Sequence, residues 1–149
     1  KENGVLPITD NRMTRFMITL EEGVELVWKA FEDMLGGEIY VKKIPSMKVI
    51  DLATAIDKDA VQKIVGIRPG EKLHEEMIGE DDALYTYEYD SYYKILPAIN
   101  EKSLSAESIK NGKRVTQGFS YSSNNNLEWM SSETLQKWIK NNISKIGVI

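Results

Sequence analysis

TRFMITLEEGVELVWKAFEDMLGG, residues 14–37, runs an apolar segment, a helix start, a helical stripe and a helix stop together, and its reading decides the fold class. Phe16 to Ile18 form the apolar segment. Thr19 and Glu22 follow at the spacing of a capping box, in which hydroxyl and carboxylate each accept from a backbone N–H the helix leaves free. Val24, Val27, Trp28, Phe31 and Leu35 then recur at the helical period. Gly36 and Gly37 can take the left-handed conformation that ends many helices. The spacing predicts a helix over residues 20–35.

Outward from that helix, EIYV (38–41) is β-branched and aromatic enough for a short strand. IPSMKVIDLATAI (44–56) reads as a second helix with Ser46 as its N-cap and Val49, Leu52, Ala53 and Ile56 as its buried stripe. QKIVGI (62–67) reads as a strand, and RPGEKLHEEMI (68–78) as a helix of about two turns. The resulting alternation of short strands with helices is an α/β pattern. Past Gly79 the texture changes: ALYTYEYDSYYKILPAI (83–99) carries five of the seven tyrosines and reads as paired strands limited by Pro97. Residues 100–118 read as a surface loop, and SYSSNNNLEWMSSETLQKWIKNNI (120–143) as a polar turn and a final helix with apolar Leu135, Trp138, Ile139 and Ile143. The expected division is an α/β part over 1–79 and a Tyr-rich extension over 80–149, packed as one compact unit.

Composition removes several function classes. With 149 residues the chain has the length of one ordinary domain. A formal charge of −4 gives no general electrostatic grip on nucleic acid or anionic lipid, so any anion site must be local. Cysteine is absent, which removes disulfide and thiolate chemistry. No run reaches the ~18 apolar residues of a membrane span, and KENGVLPITD is no signal peptide, so the chain reads as soluble and cytoplasmic. A glycine-rich dinucleotide fingerprint, a Walker loop and HExxH are all missing. The single histidine, His74, reads as a surface helix residue, and Glu75-Glu76 and Asp81-Asp82 read as solvated faces, so no metal ligand is assigned.

Arginine is the informative type: three of the four stand in two punctuated segments, Arg12 and Arg15 in TDNRMTRF and Arg68 in IRPGEK. Its planar fork of donors meets phosphate oxygens in pairs, as a lysine point charge does not. At 68–71, Pro69 sets one backbone angle and Gly70 lets the chain approach closely. A following helix would add free N–H donors, making an anion pocket in which Glu71, one step away, accepts from ligand hydroxyls such as those of a ribose. The competing reading is a plain Pro-Gly turn in which Arg68 pairs with Glu71 or caps a neighbouring carbonyl. Thr9 and Asp10 carry the same ambiguity as turn residues. Arg15, drawn inward by Phe16, needs an anionic partner, either a ligand phosphate or Glu21 or Glu22.

PITDNRMTRFMITLEEGVELV, GGEIYVKKIPSMKVIDLA, GIRPGEKLHEEMI and FSYSSNNNLEWM, in that order, resemble the C-terminal half of the inverting UDP-N-acetylglucosamine 4,6-dehydratases of the extended short-chain dehydrogenase/reductase family. The resemblance covers nearly the whole chain. It implies that the chain is the C-terminal substrate-binding part of such an α/β enzyme, without its NADP-binding Rossmann core. It also implies that Thr9 touches the UDP-sugar, that Arg68 and Glu71 hold its diphosphate and ribose side, and that Arg15 faces the diphosphate. NADP would be bound by the N-terminal Rossmann domain, and the full enzyme would be a homo-oligomer. No residue here matches the family's catalytic or cofactor-binding groups; SYYK (91–94) has a Tyr and a Lys at the wrong spacing for its catalytic pair. A different reading is a non-catalytic nucleotide-sugar binding or oligomerisation module, favoured if the aromatics of 84–99, with Trp129 and Trp138, are exposed and disfavoured if they are core.

Overall fold

The computed structural model describes residues 4–98 and 105–146, the last four without their side chains. The chain forms two units that interleave along the sequence, where a division after Gly79 was expected. The first takes residues 1–17, 45–75 and 123–149, the second 18–44 and 76–122. The reason is pairing: residues 39–42 add to the strands of 86–95, so the early helix and the Tyr-rich segment share one unit.

In the first unit, β1 (Val5–Ile8) pairs in parallel with β5 (Val61–Ile64), Val5 opposite Val61 and Ile8 opposite Ile64. Strand β2 (Thr14–Phe16) pairs antiparallel with β4 (Ser46–Lys48), and α2 (Val49–Ile56) packs on β1 and on α4 (Ser132–Ile146). Its core is Met47, Met130 and Leu135, with Met17, Leu52, Ala55 and Trp138 against them. Ser46 is not a helix cap. It is fully buried within β4, its N–H donates to Glu128 O and its carbonyl accepts from Met130 N–H, so the backbone is committed to extended pairing and α2 starts three residues later.

The second unit holds α1 (Leu20–Asp33), which starts with the expected capping box: Glu22 N–H donates to Thr19 Oγ1 and Thr19 N–H to Glu22 Oε2. A four-stranded antiparallel sheet follows the order β3 (Ile39–Lys42), β8 (Tyr92–Ile95), β7 (Thr86–Glu88), β9 (Lys113–Arg114). A 3₁₀ turn over Glu80–Tyr85 leads into β7. Between β8 and β9 lies the short α3 (Ala106–Ile109), so the predicted 100–118 loop is partly structured. Strands β6 (Glu76–Ile78) and β10 (Tyr121–Ser122) make a further antiparallel pair. Tyr87, Tyr92 and Tyr93 are buried, Tyr89 stacks on Tyr92 at 4.6 Å, and Tyr93 packs on Tyr121 at 5.2 Å. Tyr87, Tyr92 and Tyr93 are therefore core, which goes against an assembly surface over 84–99, whereas Trp129, an aromatic of the C-terminal third that also favoured it, stays exposed.

The predicted helix over 68–78 does not form. Gly66 (φ +90°) and Gly70 (φ +81°) put two left-handed positions around Pro69, and the carbonyls of Lys72 and Leu73 are taken by Arg15 and by Thr14 N–H. A backbone whose carbonyls bind elsewhere cannot close the i to i+4 ladder of a helix. Among the described residues no helix is long and apolar enough to cross a membrane.

Candidate site at the loop after β5

All four predicted site residues, Thr9, Arg15, Arg68 and Glu71, fall in the first unit. Strand β1 runs out through Ile8 and Thr9, whose carbonyls accept from Val65 N–H and Gly66 N–H at 2.8 and 3.1 Å. The parallel pairing thus continues past both strands and sets Thr9 beside the entrance of the 66–71 turn. Glu71 N–H donates to Arg68 O at 3.0 Å, closing a four-residue turn with Pro69 second and Gly70, at φ +81°, third. Those are the residues a type II turn needs, because its third position demands a positive φ.

The turn is tied a second time, by Arg68 N–H donating to Glu71 Oε2 at 3.1 Å. Glu71 therefore serves the Arg68 backbone and not its guanidinium. Arg68 is exposed, and among the described residues no salt bridge or hydrogen bond occupies its guanidinium. The turn reading and the anion-site reading are thus compatible: the backbone makes the turn, and the turn holds out an unpaired cation.

Arg15 behaves differently. From β2 its Nη1 donates to Thr14 O (2.7 Å) and Leu73 O (3.2 Å), its Nη2 to Lys72 O (2.9 Å), and its Nε lies 3.4 Å from Glu75 Oε1. Its anionic partner is Glu75, neither Glu21 nor Glu22, and its main work is to hold the carbonyls of the loop that follows the turn. Arg12 is closed off by Asp10, which accepts from Nε at 3.0 Å, Nη2 at 2.9 Å and the Arg12 N–H at 2.8 Å. Those bonds to Arg12 hold the Asp10 carboxyl down at about 2.

A buried cluster escaped sequence reading. Thr14 Oγ1 lies 2.8 Å from His74 Nδ1 and 2.6 Å from Ser123 Oγ, while Ser123 exchanges bonds with the Glu75 backbone, Glu75 N–H to Oγ (2.9 Å) and Ser123 N–H to Glu75 O (2.7 Å). His74 is half-buried in irregular chain, not a surface helix residue, and it pins the loop to β2, while the Glu75 backbone ties the loop to Ser123 at the start of the SNNN run. Partners 60 and 109 residues apart leave no local signature.

A family model described as "Polysaccharide biosynthesis protein" matches residues 1–97. The inverting UDP-N-acetylglucosamine 4,6-dehydratase of Campylobacter jejuni subsp. jejuni serotype O:2 is 54% identical over 136 residues, 87% of this chain and 40% of that protein. A UDP-glucose 4-epimerase of Rickettsia typhi is 31% identical over 130 residues, 84% of this chain and 38% of that protein. Among solved structures, the X-ray structure of Pen from Bacillus thuringiensis superposes with a TM-score of 0.76 at 27% identity, over 95% of this chain and 41% of that one. The chain thus spans about 40% of the length of the dehydratases it matches. The mixed α/β class is the one expected from the sequence, and the match across residues 1–97 places the chain in the polysaccharide biosynthesis protein family.

Proposed function

We propose that the chain is the C-terminal, substrate-holding part of an inverting UDP-N-acetylglucosamine 4,6-dehydratase, and that its own task is to grip the UDP handle of the sugar nucleotide. The observation that carries this reading is the Arg68–Glu71 turn, which is locked by two bonds yet leaves the Arg68 guanidinium without a partner. An unpaired fork on a rigid turn loses little freedom on meeting a diphosphate, and its charge-assisted bonds are the strong kind. Glu71 accepts from Arg68 N–H through Oε2, which leaves carboxylate lone pairs for ribose hydroxyls. Thr9 is held beside the same loop by its carbonyl, which accepts from Gly66 N–H, and its hydroxyl would meet the sugar nucleotide from there. Arg15 braces the loop from behind and adds positive charge to that unit; its role is to position Arg68 and Glu71.

In the whole enzyme the reaction takes hydride from C4 of the hexose, eliminates water across C5 and C6, and returns hydride to C6 with inversion at C5. NADP, held by a Rossmann portion outside this chain, supplies the hydride storage when bound. Binding energy from the UDP handle orients the hexose for that chemistry, so this chain contributes to the rate without touching the reacting carbons. Titration calorimetry of the full-length protein with UDP-N-acetylglucosamine tests the reading. Arg68→Ala should weaken binding by ~1.5–3 kcal/mol, the usual worth of hydrogen bonds to a charged group, or about ten- to hundredfold in Kd. A change below about twofold removes Arg68 from the site.

A further inference from the structure

Thr14, His74, Glu75 and Ser123 form a hydrogen-bonded circuit whose proton order follows from burial. Glu75 N–H donates to Ser123 Oγ, so the Ser123 hydroxyl must place its own proton elsewhere. Ser123 is fully buried, and the other partner of its hydroxyl is Thr14 Oγ1 at 2.6 Å. A buried hydroxyl proton without an acceptor is costly, so Ser123 donates to Thr14. Thr14 is buried too, and the acceptor for its proton is His74 Nδ1 at 2.8 Å. The reverse order, with an Nδ1–H donating to Thr14 and Thr14 to Ser123, would strand the Ser123 proton. One order uses every proton: Glu75 N–H to Ser123, Ser123 to Thr14, Thr14 to His74 Nδ1.

That order also fixes the ring. An imidazole nitrogen accepts only when it carries no proton, so His74 in this circuit is neutral with its proton on Nε2. Among the described residues the Nδ1 bond is the ring's single hydrogen bond to the protein. The circuit begins and ends on adjacent residues of one loop, while Thr14 lies 60 residues from His74 and Ser123 48 from Glu75. Thr14 grips that loop twice, by its N–H on Leu73 O at 3.1 Å and by its hydroxyl on His74. The Arg68–Glu71 turn is bonded within itself and, at its entrance, to Thr9 through Gly66, so its downstream anchorage is Arg15 together with this circuit. Chained hydrogen bonds polarise one another, so the circuit holds or fails as a unit.

We propose that His74 is a positioning residue for the sugar nucleotide: its unprotonated Nδ1, the last acceptor of the relay from Glu75 through Ser123 and Thr14, sets the loop behind the turn and with it the direction in which Arg68 meets the diphosphate. This rests on the UDP reading above. Substitution separates the acceptor from the ring: asparagine puts an amide oxygen close to the place of Nδ1 but lacks the ring's volume, and phenylalanine has the volume but no acceptor. In calorimetry of the full-length protein with UDP-N-acetylglucosamine, His74→Asn should stay within about threefold of wild type, and His74→Phe should weaken binding at least about tenfold. Thr14→Val removes the relay hydroxyl at nearly constant shape and should match His74→Phe, which keeps the comparison open should that variant fold poorly. The two combined should lose little more than either alone, because they break one circuit. Phenylalanine tolerated and asparagine not overturns the proposal in favour of plain packing. In full-length protein labelled with 15N-histidine at about pH 8.5, where imidazole is neutral, the His74 signal, identified by its loss in His74→Asn, should show Nδ1 as the nitrogen without a proton. A protonated Nδ1 overturns the proposal. If Arg68→Ala weakens binding and neither His74→Phe nor Thr14→Val does, this proposal falls and the UDP reading stands; if none of the three does, both fall.

Discussion

Asp33→Asn tests the most consequential buried interaction in the second unit. Asp33, in the last turn of α1, accepts from Lys94 Nζ at 2.8 Å and from Tyr40 Oη at 2.8 Å through Oδ2, and from Lys110 Nζ through Oδ1. Lys94 lies in the middle of β8 with 1% of its surface exposed, so its ammonium has given up water and faces Asp33 and the rings of Tyr40 and Tyr89. The asparagine keeps the shape and removes the anion. It strands a desolvated cation and weakens charged hydrogen bonds, together a loss of ~3–5 kcal/mol, which is a large share of the ~5–15 kcal/mol that holds a typical protein folded. Lys110 is half-exposed, so Lys110→Met should cost only ~0–1 kcal/mol. Urea unfolding followed by near-UV tyrosine circular dichroism is the assay, because all seven tyrosines lie in this unit. Replacing both members, Asp33→Leu with Lys94→Met, should recover much of the loss, since a buried pair is worth little more than well-packed apolar groups. If Asp33→Asn costs no more than Lys110→Met, the reasoning is wrong.

The same group sets an acid limit. Burial pushes the Asp33 carboxyl up, but the hydrogen bonds from Lys110, Lys94 and Tyr40 outweigh it and hold the group well below the ordinary range. The folded state then binds this proton less readily than the unfolded chain, so the stabilisation is whole above the unfolded value of ~3.9 and is lost as pH falls below it. Wild type should therefore lose stability more steeply than Asp33→Asn below about pH 4. Tyr89 and Tyr92 work in the opposite sense. Burial, with Asp33's charge behind it, raises both to about 12, so their contribution is whole below the unfolded value of ~10 and is lost as pH climbs past it.

Gly70→Ala, forced to φ +81°, should destabilise the chain by ~1–2 kcal/mol in urea melts, and in calorimetry should weaken UDP-sugar binding beyond what Gly118→Ala does at a comparable angle. Ser123→Ala takes away one of the two partners of Thr14 Oγ1, leaving it His74 Nδ1, and deprives Glu75 N–H of its side-chain acceptor, and a loss of ~1–3 kcal/mol is expected in the same melts. Thr19→Ala removes one half of the α1 capping box and should cost ~1 kcal/mol, read as lost helicity and a lower unfolding midpoint.

Features with local causes were legible in the sequence. The capping box at Thr19 and Glu22 and the turn at Pro69-Gly70 depend on neighbours within four residues, and both are present; the strand predicted over 38–41 is present at 39–42, although its partner β8 lies far along the chain. What escaped was set from a distance. Ser46 has the chemistry of a helix cap, but Glu128 and Met130 claim its backbone. The segment 71–76 has helix-forming residues, but β2 takes its carbonyls. The α1 stripe marks a helix correctly whether or not anything covers it, so periodicity predicted the element and said nothing of its exposure.

Arg15 and Arg68 looked alike in sequence, each an arginine in a punctuated stretch, and the structure separates them on energetic grounds. Releasing Arg15 to a ligand would break bonds to three carbonyls and its approach to Glu75. At ~1 kcal/mol or more for each bond, that would offset much of what a phosphate contact returns. Arg68 has nothing to give up but water, because Glu71 is occupied with the backbone of the turn. The two effects are linked: two of the three carbonyls Arg15 holds belong to residues 72 and 73, directly after the turn, so removing Arg15 loosens the platform from which Arg68 projects. Arg15→Lys keeps the charge but cannot span three carbonyls. If Arg15 acts by bracing, that variant should lose nearly as much UDP-sugar affinity as Arg15→Ala and show the same drop in the unfolding midpoint. If it acts instead as a bare charge on the diphosphate, Arg15→Lys should retain most of the affinity, and the positioning role falls.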